Sequence, residues 1–196
     1  PIINLPPVTK WGVGVLLAVH LIVTLLPEPM QYDVFEMFGF VAARYSGHVP
    51  FGWQALVTPF SYAFLHGNWM HLITNGLSLA AFGAGVERWL GGRRLLLFML
   101  VCSLAAVAVQ FALDPVSDNP VVGASGAISG LFAAILVMMK RNGMMGNQGL
   151  LPMALVWIGV SALFGLTGGP GGTSIAWAAH IGGFLAGFVV LKAMRV

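Results

Sequence analysis

The chain predicts an all-α integral membrane protein: six transmembrane helices in one bundle, with both termini on the cytoplasmic side. Three observations carry this: an extreme composition, six apolar stretches, and charges that fall alternately between them. Of 196 residues, 58% are hydrophobic and 8% charged, whereas a soluble domain carries about 25% charged residues. Mean hydropathy is +0.89. In water such a chain would leave large apolar surfaces exposed, so lipid is its solvent. A net charge of +3 would suit nucleic acid if the basic residues formed a patch. They are spaced along the chain as loop markers instead, a topology signal that excludes that partner. The single cysteine, Cys102, lies in an apolar run and can form no internal disulfide. Nothing near Pro1–Lys10 resembles a cleavable signal peptide, since no small-residue cleavage site follows.

The first stretch, Trp11 to Leu26, ends at Pro27-Glu28-Pro29. The second runs from His66 to Val86, and the third from Leu95 to Leu113, closed by Asp114-Pro115. The fourth, Ser125 to Met139, is short for a span, which needs about 20 residues. The fifth covers Leu150 to Leu166 and the sixth Ser174 to Met194, with a Gly-Pro-Gly loop between them. Pro27 to Pro59 is too polar to span, although Val34 to Val41 reads as an amphipathic piece lying in the interface. There is no repeat of 20–50 residues and no low-complexity linker, so residues 1–196 read as a single membrane domain.

Charge orients the spans. Lys10, Arg88, Arg93, Arg94, Lys140, Arg141, Lys192 and Arg195 fall on one side of the six-span arrangement, with only Arg44 on the other. The basic side is cytoplasmic by the positive-inside rule. Glu28, Asp33, Glu36, Asp114 and Asp118 fall outside.

Helical rise then gives depth. At about 1.5 Å per residue, Asn75 sits roughly 20 Å above Arg88, Ser125 about 22 Å above Lys140, and His180 about 18 Å above Lys192. In a hydrocarbon core of about 30 Å, all three lie on the order of 10 Å below the outer surface. His71 shares a helix face with Asn75, because i and i+4 residues stack. A serine, a histidine and amide donors at one depth are the parts of a serine hydrolase. A serine hydroxyl needs a base to take its proton and donors to hold the oxyanion. Ser125 opens the fourth span, where free backbone N–H groups and the helix dipole favour negative charge. Gly123 and Gly126 allow a close backbone approach there, and Asn75 and His71 can add side-chain donors. No Asp or Glu lies at this depth, so the arrangement is a Ser–His dyad without a third member. No strand precedes the serine, which excludes the nucleophile elbow of α/β-hydrolases.

Each residue has a structural reading as well. Serine between glycines is a common packing element, and Gly126-x-x-x-Gly130 is a small-residue contact. His180, beside Gly182, Gly183 and Gly187, could hydrogen-bond a neighbouring helix. Ionisable groups within spans are nonetheless functional candidates by default. Tight packing of spans four and six would serve both ends. His20 reads as a packing or interhelix hydrogen-bond residue, His48 as a loop residue and His66 as a brace for the loop before span two.

The segment Phe64–Asn75, containing His66, His71 and Asn75, resembles the HxxxxHxxxN segment of rhomboid proteases. Gly123-Ala124-Ser125-Gly126 resembles their GxSG, and Ala179-His180-Ile181-Gly182-Gly183 with Gly187 resembles their AHxxGxxxG. Glu87-Arg88 with Gly91 is similar to the family's close of the second helix. The set covers essentially the whole chain in the right order. The resemblance implies a six-helix rhomboid-like bundle in the bacterial inner (cell) membrane, cutting single-span transmembrane substrates near their outer boundary without metal or cofactor. Ser125 would be the nucleophile and His180 the general base. Asn75, His71 and the Ser125 N–H would form the oxyanion hole. Two positions depart from the pattern: Ser129 stands where many members carry an aromatic residue, and Trp53-Gln54 where many carry Trp-Arg. The fifth span with Gly168–Thr173 would be gate and cap. The alternative is a catalytically weak rhomboid-like protein that retains membrane helices. A small transporter would show repeats or broken helices in corresponding halves.

Overall fold

The computed structural model describes residues 4–145, 149–167 and 176–196. Among these residues the secondary structure is helical, apart from one isolated antiparallel bridge between Phe40 and Val121. Helix α1 spans Pro7–Thr24, α2 Glu28–Phe38 and α3 Gln54–Ser61. Helix α4 (Trp69–Ser78) passes through a π-helical turn, Leu79–Gly83, into α5 (Ala84–Leu90), giving one continuous helical run. Helices α6 (Gly92–Leu113), α7 (Ser125–Arg141), α8 (Leu151–Thr167) and α9 (Trp177–Ala193) follow.

Local chemistry sets these limits. Pro7 opens α1, where its missing N–H costs nothing. Gly91, at φ +81, separates α5 from α6, and Asp114-Pro115 ends α6. Lys140 and Arg141 lie in the last turn of α7, where cations meet the negative helix end. Asn68 caps α4 by accepting the His71 N–H at 2.8 Å.

A helix lies over each of the six apolar stretches. Helices α1 and α6 are long and apolar enough to cross a membrane, and α9 is a shorter apolar helix. Outward faces carry large apolar side chains: Ile22, Leu77, Leu96 and Val189 are each more than half exposed. Apolar surface on this scale suits lipid. The core is shared by α6, α7 and α9, which make the most extensive helix contacts.

Two features differ from the sequence reading. The amphipathic segment is helical over Glu28–Phe38 and stops before Phe40, which instead exchanges main-chain hydrogen bonds with Val121 at 2.9 and 2.8 Å. The short helix α3 is additional, its periodicity hidden by the internal Pro59. The proposed cap, Gly168–Thr173, lies outside the described residues.

Candidate active site

Helices α7 and α9 meet through glycine. A Cβ on Gly187 would stand 2.8 Å from the Gly130 carbonyl oxygen and 2.9 Å from Ala133 Cβ, and one on Gly183 would overlap the Gly126 carbonyl. On the other side of α7, a Cβ on Gly126 would meet Ala106 Cβ at 2.5 Å and one on Gly130 would meet Cys102 Sγ at 2.5 Å. The two backbones therefore touch, as small residues permit in membrane helices. This contact sets the first residue of α7 beside the first turn of α9.

At that junction His180 Nε2 lies 2.8 Å from Ser125 Oγ. Both side chains are partly accessible, on a buried surrounding frame. Gly123 takes φ +117, which L side chains rarely adopt, and donates its N–H to the Tyr62 carbonyl at 2.9 Å. A Cβ there would lie 2.6 Å from His71 Nε2 and 3.7 Å from Ser125 Oγ. The bare glycine thus lets the His71 ring come up against the turn that carries the serine. Asn75, one helical turn along α4, is buried, and its Nδ2 donates to the His71 carbonyl at 2.9 Å. That leaves the second amide hydrogen of Nδ2 for another acceptor. Ser129 donates to the Ser125 carbonyl at 2.8 Å and so braces the first turn of α7.

The structure therefore brings together Ser125, His180, His71 and Gly123, with Asn75 behind His71. Gly126 is part of the helix contact. His48 is a loop residue, hydrogen-bonded through Nδ1 to Ser46 Oγ at 2.9 Å. His66 is buried just ahead of α4 with its ring against His71. Among the described residues, no group of three or more His, Cys, Asp or Glu could hold a metal ion.

Tyr62 was not legible as part of this region. It is fully buried, its hydroxyl donates to the Ser103 carbonyl at 2.8 Å and accepts from Ser103 Oγ at 2.9 Å, and its carbonyl holds Gly123. Its contribution to the site is a main-chain acceptor, which leaves no mark in a sequence. Asn68 had a readable signal, a capping residue three positions before His71.

The rhomboid domain family model matches residues 53–195. "Rhomboid protease GluP" of Bacillus subtilis is 32% identical over 142 residues, 72% of this chain and 26% of the relative. "Putative rhomboid protease YdcA" of the same organism is 36% identical over 97 residues, 49% of this chain and 47% of the relative. "RHOMBOID-like protein 5" of Arabidopsis thaliana is 33% identical over 131 residues, 63% of this chain and 39% of the relative. The chain spans between about a quarter and a half of the length of these relatives. The family match runs from the loop before α3 to the end of α9 and takes in every helix that borders the site, so this chain is a membrane protein of the rhomboid family.

Proposed function

We propose that this protein is an intramembrane serine protease that uses a Ser–His dyad to cut single-span membrane proteins near their outer boundary. The observation that carries this reading is the 2.8 Å approach of His180 Nε2 to Ser125 Oγ across two packed helices. Its setting is a six-span domain covering residues 1–196, with termini on the cytoplasmic side of a bacterial inner membrane. The relatives named as proteases support the hydrolase class.

The mechanism follows from these groups. With His180 neutral and its Nε2 lone pair facing Ser125, the imidazole takes the hydroxyl proton as Oγ bonds to the scissile carbonyl carbon. The carbonyl electron pair moves to oxygen. The Ser125 N–H at the helix start, the free Asn75 amide hydrogen and the His71 ring N–H are the donors available to that oxyanion. The imidazolium then gives its proton to the leaving nitrogen as the C–N bond breaks. Water releases the acyl group by the same path, with His180 again the base. No cofactor enters this chemistry.

Purified protein incubated with a single-span reporter provides the test. Wild type is expected to cut it, and Ser125→Ala and His180→Ala each to lose cleavage almost completely, since nucleophile and base act as a unit. Cleavage retained by either variant would remove the dyad. A folded wild type that binds the reporter without cutting it would favour the helix-retaining alternative.

A further inference from the structure

The mechanism leaves one buried histidine unused. His20, on α1, is 2% exposed, and its ring nitrogens make no well-formed hydrogen bond among the described residues, the nearest acceptor being the His66 main chain. Its ring meets Trp69 edge to face, with centroids 4.7 Å apart, and lies beside the main-chain carbonyl of His66. His66 is 1% exposed, its ring nitrogens make no well-formed hydrogen bond among the described residues, and its ring meets that of His71 at 5.0 Å. Trp69 opens α4, and His66 and His71 flank its first turn. The contacts thus run from α1 through the start of α4 to His71.

We infer that His20 is a positioning residue for His71, holding the start of α4 and the His66 ring so that the His71 ring stays against Gly123. No hydrogen bond to the His71 ring is present among the described residues, so packing sets its orientation. The ring of His66 and the backbone of Gly123 both lie against that ring. A buried imidazole whose nearest acceptor among the described residues is a poorly aligned carbonyl lowers stability, and a leucine of similar bulk would remove most of that penalty. A group that costs stability beside a candidate oxyanion donor is what a trade-off between stability and activity looks like.

The kinetic arm of the test rests on the protease reading, and the spectroscopic arm does not. His20→Leu is expected to keep or raise the melting temperature while kcat falls by roughly tenfold to a hundredfold, as a small misplacement of a donor costs, with KM unchanged. His20→Gln, which retains polar atoms, should recover part of the loss. In a His71→Ala background, His20→Leu should lower kcat no further. Nitrogen NMR of ring-labelled histidine should show the His71 signals shifted by His20→Leu, whether or not the protein cleaves anything. If wild type is inactive but His71 still responds, positioning stands and the protease reading falls. An unchanged His71 spectrum, or an equal loss of kcat without His71, overturns the inference.

Discussion

Gly123 concentrates more of the site than any other residue that makes no chemical contribution of its own. Its φ of +117 costs an alanine about 1–3 kcal/mol, and the added methyl would stand 2.6 Å from His71 Nε2. Gly123→Ala is therefore expected to leave a folded protein with cleavage reduced by at least about a hundredfold, because a displaced donor ring is no longer aligned. A variant that folds and cleaves normally would show that His71 need not sit against this turn. Asn75 separates the roles differently. Its Nδ2 holds the His71 carbonyl with one hydrogen and leaves the other for the proposed oxyanion, so Asn75→Ala should lower kcat by about 10²–10³-fold with KM little changed. Full activity would make Asn75 a helix-packing residue. Such residues could be picked out of the sequence because glycine, serine and histidine are conspicuous in apolar helices. The links between them were hidden, since Tyr62 acts through its carbonyl and His20 reaches Trp69 from a different helix rather than along one helix face.

Between residues and bundle stand the helix pairs, and two of them invite measurement. Gly187→Val should force α9 away from Gly130 and Ala133, lowering the melting temperature and abolishing cleavage together. Gly159→Ala on α8 meets nothing within 4 Å and should stabilise by about 0.5–1 kcal/mol, the usual gain of alanine over glycine in a helix. Comparable melting temperatures for the two would contradict the close contact of α7 and α9. At the opposite, basic end, Glu87 stands just past the second apolar stretch and accepts the N–H groups of Val8 and Thr9 at 2.9 and 2.7 Å and the Thr9 hydroxyl at 2.7 Å. Burial pushes its carboxyl up, but these bonds and nearby Arg88 outweigh burial and hold it below its ordinary value. A depressed folded value means the contribution is complete above the unfolded value and disappears as pH falls through the folded one. Glu87→Gln should accordingly destabilise at neutral pH and converge with wild type in acid; a deficit independent of pH would mean the carboxylate charge is not what fastens α1. Helix positions were readable because proline, glycine and charge punctuate long apolar runs. The π-helical turn Leu79–Gly83 was not, because one extra residue in a turn leaves an apolar stretch looking the same.

On the protease reading proposed above, the question for the whole molecule is how a helical substrate would reach Ser125. A peptide bond inside a lipid-embedded helix has its backbone groups satisfied, and freeing it costs several kcal/mol, so substrates with helix-breaking residues near the cut and a small residue before it should be preferred. The bundle offers few movable parts. Helices α6, α7 and α9 are locked through their glycines, and α4 is capped by Asn68 and carries His71 and Asn75. Among the described residues, helix α8 is held differently, packing chiefly on α9. Its Trp157 rests on Phe132 at 4.5 Å and near Phe184 at 6.4 Å, while Leu155, Val156 and Leu163 are more than half exposed. An apolar cavity of about 250 Å³ lies among Phe132, Pro152, Met153, Val156, Trp157 and Val160. Looser packing of this kind marks the element that opens at least cost. The expectation is lateral access between α8 and α4. Cysteine pairs joining the halves of α4 and α8 remote from the basic loops, once verified as disulfides, should block cleavage of a single-span substrate and restore it on reduction. Cys102 is fully buried and will not compete. Labelling of Ser125 by a small fluorophosphonate should survive the cross-link, which separates a closed gate from a damaged site. Undiminished cleavage with the disulfide intact would assign the route to a different pair of helices.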